Sequence, residues 1–512
     1  MSCPYYGKGI LYFFLVTSCL FIFFLSMKTF LLALSLLAYL PLFSVNRDSV
    51  AYDVARKSVG ARKCVVVKKT EAYSIYQNAE GEGFSIVAHD NSGNVRLLGY
   101  STGSSWKEDE MPEALKDWLK GIETFRLNAT VSSQSDKMDV APLLTSHWHQ
   151  TSPYNDLAPI IEDGKIKTVA GCVAIAAAQV VYYWRKDNPE ALLKDTPVYP
   201  YGKAPVTYSI PKGTPNNWEL IRDSYDNTST EESRAAVAQL VYAVGTGSYL
   251  DYGSSTGGQI AQAKSAIYSQ YRLLCENAIK AECSHEEWEE LIYSELLAKR
   301  PIMYSGNTGS DGHAFVVDGY DAANNLFHIN FGWGGSGDGY YAIDDVSGLG
   351  GYCVGQACVY NIRPKYRNIS INYELGAINV SEGTVDVSIS FVNNSTLPIE
   401  DLYLFDIGNT DDITLTSPIS SLQTKIENDG QIYVVSMTIP VTDFDDIMQI
   451  ALADRYSYIF TTFTLDLTTN ISSVVENSNF CEIYSVNGTR KSRLSKGINI
   501  LRSRGVTIKI CR

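Results

Sequence analysis

Apolar and polar residues alternate along the first third of this chain with two different periods. The stretch "AYSIYQNAEGEGFSIVAHDNSGNVRLLGYS" alternates every second residue between Gly and Asn turns, which predicts two or three strands. "VARKSVG" before it and "MPEALKDWLKGIETF" after it have the period of a helix. Residues 46–140 are therefore predicted to form a small α+β unit. The unit closes with "NATVSSQSDKMD", which has the composition of an exposed linker that a protease can cut.

The middle of the chain, 141–365, places its helices mostly before its strands. Helical periodicity covers the ranges 172–185, 231–245, 257–271 and 285–299. The predicted strands are rich in Gly and Tyr and comprise "PIMYSG", "HAFVVDGYD", "LFHINFGW" and "GYYAID". Helices gathered ahead of an antiparallel sheet are typical of an α+β domain.

Period-two alternation takes over in the last third. About seven short strands in 366–470, separated by Asn, Ser, Gly and Asp turns, predict a β-sandwich of immunoglobulin-like type. The final segment, 471–512, is more basic and ends in "GINILRSRGVTIKICR".

The N-terminal residues are almost continuously apolar and have two interpretations. "MKTFLLALSLLAYLPLFS" has the charged start, apolar centre and small final residue of a signal peptide, so translation could begin at Met27. Alternatively, the whole of 1–45 could anchor the chain, because about 20 apolar residues span a bilayer. In both cases everything after about residue 45 is exported, to the cell surface or the medium.

Composition narrows the classes of function. With 512 residues and 45% hydrophobic residues, the chain can bury several cores. Its net charge of -14 and the lack of a basic stripe argue against nucleic acid as a partner. No CxxC motif or histidine-rich cluster indicates zinc, and we expect no metal and no cofactor.

Ten cysteines in an exported chain raise the question of disulfides. Seven of them lie beyond the leader and the first unit, which is an odd number, so at least one thiol stays free if the others pair within the chain. The close pairs Cys275/Cys283 and Cys353/Cys358 could form local bridges. The sequence alone leaves their connectivity open.

One cysteine stands where a reactive thiol would be placed. In "KTVAGCVAIAAAQVVYYW", Cys172 follows a glycine and opens an alanine-rich run that is predicted to be a buried helix. A helix N-terminus lowers the pKa of a thiol because its unpaired N–H groups stabilise the thiolate. Taken alone, the same pattern also fits a buried structural cysteine.

A histidine, an asparagine and a tryptophan complete a candidate catalytic group. His313 opens a predicted strand 141 residues after Cys172, within the roughly 130–150 expected for a papain-like pair. Asn330 could fix the imidazole tautomer, although it could equally cap the turn before the glycine-rich loop. Trp333 could cover that contact and exclude water. His328, which alternates with apolar residues, is predicted to be a packed strand residue.

Acyl transfer also requires donors for the developing oxyanion. The backbone N–H of Cys172 is one, since it lies at a helix start. The Gln150 side chain is a candidate for the second, and an ordinary loop glutamine is the alternative.

These motifs together resemble the streptopain family of secreted cysteine peptidases, including its homologues from Bacteroides- and Prevotella-type bacteria. The resemblance rests on "GCVAIAAAQVVYYW", "YLDYGSSTGG", "GHAFVVDGY" and "HINFGWGGSGDGYYAID", in this order, and covers about 46–365. It implies a papain-like fold with Cys172 as nucleophile and His313 as general base. It also places Asn330 and Trp333 in the segment that supports the histidine, and Gln150 ahead of the family's "PYN" motif. Phe331 departs from the family's tryptophan at that position.

The resemblance also implies roles for both ends of the chain. Residues 46–140 look like the family's inhibitory propeptide, cleaved near 129–140. Residues 471–512 resemble the C-terminal signal of proteins exported by the type IX secretion system, with Asn499 in place of the customary Tyr, and so suggest secretion machinery or a cell-surface attachment as a partner. The alternative for this tail is one more hairpin of the sandwich.

The sequence therefore predicts a secreted cysteine endopeptidase, made as a zymogen, that acts on proteins or peptides through a thioester acyl-enzyme. Two alternatives stay open. One is a surface binding or adhesion protein whose peptidase-like domain is inactive. The other is an amidase or transglutaminase that uses the same pair of residues with a different acceptor.

Overall fold

The computed structural model describes most of the chain from residue 47 onward. The described ranges are 47–89, 95–124, 137–161, 165–307, 312–342, 354–365, 368–379, 382–396, 398–408, 415, 417–427, 429–441, 447–454, 458–466, 482–485, 490–491, 498–503 and 506–511. The predicted leader, 1–45, and a start at Met27 lie outside these ranges. Within them, no helix has the length and apolar character needed to cross a membrane.

The chain divides into two compact units, Met1–Asp53 and Val54–Arg512, and the features below belong to the second. The helices are α1 (Arg47–Ser58, which crosses the division), α2 (Glu113–Thr124), α3 (Cys172–Tyr183), α4 (Glu231–Gly247), α5 (Ile260–Tyr271) and α6 (His285–Leu297). The strands up to residue 365 are β1 (Cys64–Lys69), β2 (Tyr73–Asn78), β3 (Phe84–His89), β4 (Val95–Ser101), β5 (Ile160–Ile161), β6 (Ile166–Lys167), β7 (Leu273–Ile279), β8 (Ile302–Asn307), β9 (Gly312–Asp321), β10 (Leu326–Asn330), β11 (Gly339–Tyr341) and β12 (Val354–Pro364).

The helices predicted in the middle of the chain are confirmed, with small differences at their ends. The helix expected from 257 begins instead at Ile260, because Gln259 and Gln262 form a capping box there and two glycines precede it. The α+β class is confirmed as well, since α3, α4 and α5 precede the strands that they cover.

Ten strands form one continuous sheet in the order β1-β2-β3-β4-β11-β10-β9-β8-β12-β7. The first four strands come from the predicted N-terminal unit and the other six from the middle domain. The join is an antiparallel pairing of β4 with β11, in which Tyr100 lies opposite Tyr340 and Gly99 opposite Tyr341. The sequence predicted two separate units, whereas the structure gives them a shared sheet.

The two faces of this sheet carry different helices, and the alternation of β9 explains why. Ala314 and Val316 pack in the core that contains α3, α4 and α5. Phe315 and Val317 point the other way, into a core built from α6 and the N-terminal unit. Successive residues of β9 therefore point to opposite faces of the sheet.

A two-sheet sandwich follows the middle domain, as predicted. Its strands are β13 (Ile369–Asn379), β14 (Thr384–Asn393), β15 (Ile399–Asp406), β16 (Ser420–Ile426), β17 (Ile432–Pro440), β18 (Ile447–Asp454) and β19 (Ile459–Asp466). They pair as β13-β14-β17 and β16-β15-β18-β19 around a common core. The sandwich contacts the end of α3, because Tyr458 packs on Trp184 at 5.8 Å between ring centroids. Asp187 accepts the backbone N–H groups of Asn368 and Thr396 at 3.0 and 3.2 Å.

The C-terminal segment contains a small four-stranded sheet in the order β21-β20-β22-β23. Its strands are β20 (Glu482–Ser485), β21 (Arg490–Lys491), β22 (Ile498–Ser503) and β23 (Val506–Cys511). β22 and β23 pair as an antiparallel hairpin with Asn499 opposite Ile510. The pairing confirms a hairpin here, and the sorting role remains a prediction.

Candidate active site

Cys172 is the first residue of α3, and the residue before it must be a glycine. Gly171 has a φ of 93°, and a Cβ atom there would lie 2.8 Å from Cγ2 of Thr256. The approach is fixed by a hydrogen bond from the Ala170 N–H to the Gln150 carbonyl at 2.9 Å. The thiol is therefore held at a helix start by a tight entry.

α3 lies deep in the domain because its side chains are small. Every residue from Val173 to Tyr183 is buried. Gly245 of α4 comes so close that a Cβ there would lie 3.3 Å from Cβ of Ala174. This close packing fixes the position of the helix that carries Cys172.

The thiol of Cys172 meets His313 and two backbone N–H groups. Burial alone would raise the pKa of Cys172, but the hydrogen bond and positive charge of His313 lower it. The N–H groups of Ala314 and Val173 act in the same direction, and the net pKa is lowered. These contacts favour a thiolate, the nucleophilic form.

His313, near the start of β9, is oriented by a backbone carbonyl. Its Nε2 lies 3.0 Å from the carbonyl oxygen of Phe331. A carbonyl can only accept, so Nε2 carries a proton and Nδ1 is left to face the thiol. Burial lowers the pKa of His313. The contact with Cys172 and the hydrogen bond to the Phe331 carbonyl raise it by more, so the net pKa is raised.

The predicted contact between the Asn330 side chain and His313 requires correction. The Asn330 amide donates to the Ser146 carbonyl at 2.7 Å, and its oxygen accepts from Gln179 and from the Gly332 N–H, both at 3.0 Å. The Gly332 N–H belongs to the same peptide group as the Phe331 carbonyl. Asn330 therefore holds the peptide that holds the histidine, rather than the imidazole itself.

The other two predicted site residues lie near the pair. Trp333 is half-buried, and its ring meets His313 edge to face at 6.5 Å between centroids. Gln150 lies beside the entry to α3 through its carbonyl. Their roles in shielding and in oxyanion stabilisation remain predictions.

Sequence reasoning missed three supporting groups: Gln179, Ser146 and Asp338. Ser146 Oγ donates to Gln179 at 2.9 Å, which closes a ring of hydrogen bonds with Asn330. Asp338 accepts the Phe331 N–H at 2.9 Å. The one available signal was Gln179, because it is the single amide in the apolar run of α3.

A cleft of about 480 Å³ opens onto the thiol and the imidazole. Glycine backbone forms much of its wall, from Gly257 and Gly258 on one side to Gly306, Gly312 and Gly355 on the other. Without side chains, such walls let a substrate chain approach the backbone closely. The cleft suits an extended polypeptide.

His328 and the other described cysteines of the middle domain lie outside the candidate catalytic pair. His328 lies on β10 with Nδ1 2.6 Å from Asp318, outside the cleft lining, as expected of a packed strand residue. Cys275 and Cys283 are both free thiols, so that possible bridge is not formed, and Cys353 lies outside the described residues. Burial raises the pKa of Cys275 and of Cys358 to about 12.

A helix-borne thiol facing a strand-borne imidazole across a cleft defines the class of papain-like cysteine peptidases. Comparison with known proteins agrees. The Peptidase C10 family matches residues 148–341, and a Spi protease inhibitor family matches residues 43–124.

Two relatives and one solved structure are similar to this chain. Streptopain of Streptococcus pyogenes is 29% identical over 327 residues, covering 57% of this chain and 80% of streptopain. The thiol protease/hemagglutinin PrtT of Porphyromonas gingivalis is 26% identical over 403 residues, covering 70% of this chain and 44% of PrtT. A prointerpain A fragment from Prevotella intermedia superposes with a TM-score of 0.49 at 27% identity, covering 58% of this chain and 97% of the fragment.

Residues 148–341 match the Peptidase C10 family, and the chain is a streptopain-like cysteine peptidase. It is a cysteine-type endopeptidase that carries an inhibitor-like propeptide domain at its N-terminal side.

Proposed function

We propose that the peptidase acts through Cys172 and His313 on proteins, is made as a zymogen, and is exported. The observation that supports this most directly is the hydrogen-bonded contact of the Cys172 thiol with His313 at the cleft. Atoms so arranged can attack a peptide carbonyl and pass a proton to the leaving amine.

In the acylation step, the Cys172 thiolate attacks the scissile carbonyl and an S–C bond forms. The protonated His313 then gives the Nδ1 proton to the leaving amine as the C–N bond breaks, which leaves a thioester. Water, deprotonated by the now neutral His313, attacks the thioester carbonyl; the C–S bond breaks, the carboxylic acid product leaves, and the thiolate of Cys172 and the imidazolium of His313 are restored. Throughout, the Phe331 carbonyl accepts the Nε2–H and keeps Nδ1 toward the reaction.

The tetrahedral intermediates need donors at their oxyanion. The backbone N–H of Cys172 at the start of α3 is one donor, and the Gln150 side chain is proposed as the second. Trp333 covers the edge of His313 and limits the access of water.

The N-terminal unit, proposed as 46–140, is the inhibitor in this scheme. It docks behind the histidine, on β11 and the loop before it, and the described cleft-lining residues all come from 172 onward. Three hydrogen bonds join the end of β4 and the loop after it to the peptidase: Tyr100 Oη to Asp321 (3.0 Å), Ser101 Oγ to the Asp338 carbonyl (2.6 Å), and the Gly337 N–H to Ser104 Oγ (3.1 Å). We therefore propose that the inhibition acts through the loop before β11.

Processing would separate this unit from the proposed peptidase domain, 141–365. Val140 is buried and exchanges two backbone hydrogen bonds with Tyr320, at 2.9 and 2.8 Å. Cleavage at that point would have to break both bonds first. We therefore place the cut before residue 137, within the N-terminal part of the 129–140 segment.

The ends of the chain serve export in this proposal. Residues 1–45 would act as the leader and 471–512 as a sorting signal that engages secretion machinery or attaches the protein to the cell surface. The sandwich, 366–470, would connect the peptidase domain to the sorting signal.

Selective alkylation tests the proposed nucleophile. At neutral pH, iodoacetamide should modify Cys172 at least about 100-fold faster than Cys275 or Cys358, because of these three described thiols only Cys172 has a lowered pKa. Peptide mass spectrometry over time gives each rate, and activity should fall in step with Cys172 modification. Equal rates at the three thiols, or full activity after modification of Cys172, would contradict the proposal.

The pH profile of kcat/KM is a second test. Below the lowered pKa of Cys172 the thiol is protonated and attacks poorly, and above the raised pKa of His313 the proton for the leaving amine is lost. We expect a bell-shaped profile whose acid limb lies well below the pKa of an ordinary thiol, about 8.5. A single limb that rises through that range would show that no thiolate–imidazolium pair exists.

A further inference from the structure

A buried carboxylate lies behind the loop that supports His313. Asp338, between β10 and β11, has only 8% of its side chain exposed. One of its oxygens accepts the Phe331 N–H at 2.9 Å, and the other lies 3.4 Å from Nδ1 of His147. Asp338 touches neither Cys172 nor His313 in these contacts, so its effect on them would pass through Phe331.

Phe331 is the residue whose carbonyl orients the imidazole. The Phe331 carbonyl accepts from His313 Nε2 at 3.0 Å, while the N–H of the same residue donates to Asp338. Asn330 holds the other side by accepting the Gly332 N–H. The N–H groups on both sides of this carbonyl, those of Phe331 and Gly332, are therefore each held by a side-chain oxygen.

The loop needs such anchors because its own backbone is unusually free. Gly332, Gly334, Gly335 and Gly337 all have positive φ, between 67° and 88°. Glycines lose much conformational freedom on ordering, and they supply no side chains to hold the segment. A hydrogen bond to a buried carboxylate is stronger than one between neutral groups. Asp338 is therefore suited to fixing the start of a glycine-rich segment.

We propose that Asp338 is a positioning residue that fixes Phe331 so that its carbonyl keeps His313 aimed at Cys172. This inference rests on the proposed function, because it assigns Asp338 a task within the same catalytic pair. It also gives a reason for the aspartate in "GSGDGYY", which the sequence pattern left without a role.

A second buried aspartate provides a matched control. Asp318 is fully buried, accepts a backbone N–H (Leu144, 2.8 Å) and contacts a histidine (His328, 2.6 Å), just as Asp338 does. These contacts do not involve Phe331. Loss of either carboxylate should lower thermal stability, but only loss of Asp338 should disturb the catalytic pair.

The test compares Asp338→Ala, Asp338→Asn and Asp318→Ala in the full chain. For each, Cys172 alkylation by iodoacetamide is followed against pH by peptide mass spectrometry, and kcat and KM are measured on a fluorogenic peptide with chains of equal processed length. Asp338→Ala should lower kcat by roughly 10- to 100-fold with KM within about threefold, since small displacements of a reacting group cost about that much. Its Cys172 should lose reactivity near neutral pH and regain it in the alkaline range, because a less supported imidazolium stabilises the thiolate less.

The conservative variant should rescue the effect. In Asp338→Asn the carboxamide oxygen can still accept the Phe331 N–H, so kcat should stay within about fivefold of wild type and the alkylation profile should keep its neutral plateau. Asp318→Ala should melt at a lower temperature with an unchanged alkylation profile. If Asp338→Ala gives no cooperative thermal transition, Asp338→Ser, which also loses the contact, takes its place.

Two results would overturn the inference and leave the proposed function standing. One is a folded Asp338→Ala or Asp338→Ser with a wild-type alkylation profile, and the other is a folded Asp338→Asn as impaired as the alanine variant. If instead the wild-type chain leaves Cys172 unmodified at neutral pH, the proposed function itself fails.

Discussion

Replacing Cys172 with alanine should reduce peptidase activity by on the order of 10⁴-fold or more and leave the chain unprocessed. In the proposed mechanism the S–C bond of the acyl-enzyme forms at this sulfur, so the variant loses the covalent route entirely. Stability should change little, because the side chain is small and α3 is held by its other residues. The measurement is turnover of a protein substrate, with gel analysis of whether the full-length chain is trimmed before residue 137.

Cys275→Ala is the matched control for this variant. Cys275 is also a free thiol, but burial raises its pKa to about 12 and it lies outside the cleft lining. Its replacement should leave kcat within about twofold, as for substitutions away from the reacting groups. A Cys172→Ala chain that is trimmed and turns over substrate like wild type would show that another residue is the nucleophile.

Replacing His313 with alanine should lower kcat by on the order of 10³- to 10⁴-fold. The variant loses both the positive charge that stabilises the Cys172 thiolate and the proton for the leaving amine. Cys172 should then react with iodoacetamide only at alkaline pH, because its pKa returns toward that of a buried thiol. Steady-state kinetics and the alkylation profile measure the two effects separately.

His328→Ala distinguishes loss of the base from loss of a buried histidine. His328 pairs with Asp318 and has 15% of its side chain exposed, so its removal should lower the melting temperature. Its kcat should stay within several-fold of wild type, since it does not contact the thiol. Equal losses of kcat in the two histidine variants would argue that His313 acts only through stability.

Much of the fold could be predicted because its signals are local. The helix at Cys172 follows from a glycine and an alanine-rich run, and the sandwich follows from period-two strands with frequent turns. Both kinds of signal lie within a dozen or so residues and need no knowledge of distant contacts. The shared sheet of β4 and β11 joins residues 240 positions apart, and three-residue β11 carries too little pattern to reveal it.

Less of the candidate site than of the fold could be predicted from the sequence. Cys172 and His313 could be proposed from the sequence because their chemistry depends on side-chain type. The group that orients His313 is a backbone carbonyl, and every residue has one, so the sequence could not mark Phe331 for this task. Asn330 was assigned the wrong partner for a related reason, since a carboxamide beside a loop binds whichever groups the fold brings to it.

The pairing of β4 with β11 has a consequence for the processed enzyme. If residues 47–136 leave, the N–H and C=O groups of Tyr340 that face β4 lose their partners, and the peptidase gains a bare sheet edge. That edge is only Gly339–Tyr341 long. Such a short edge is poorly suited to templating aggregation, yet it can still accept a strand from another polypeptide. Maturation would thus turn an internal contact into a place where a separate chain can dock.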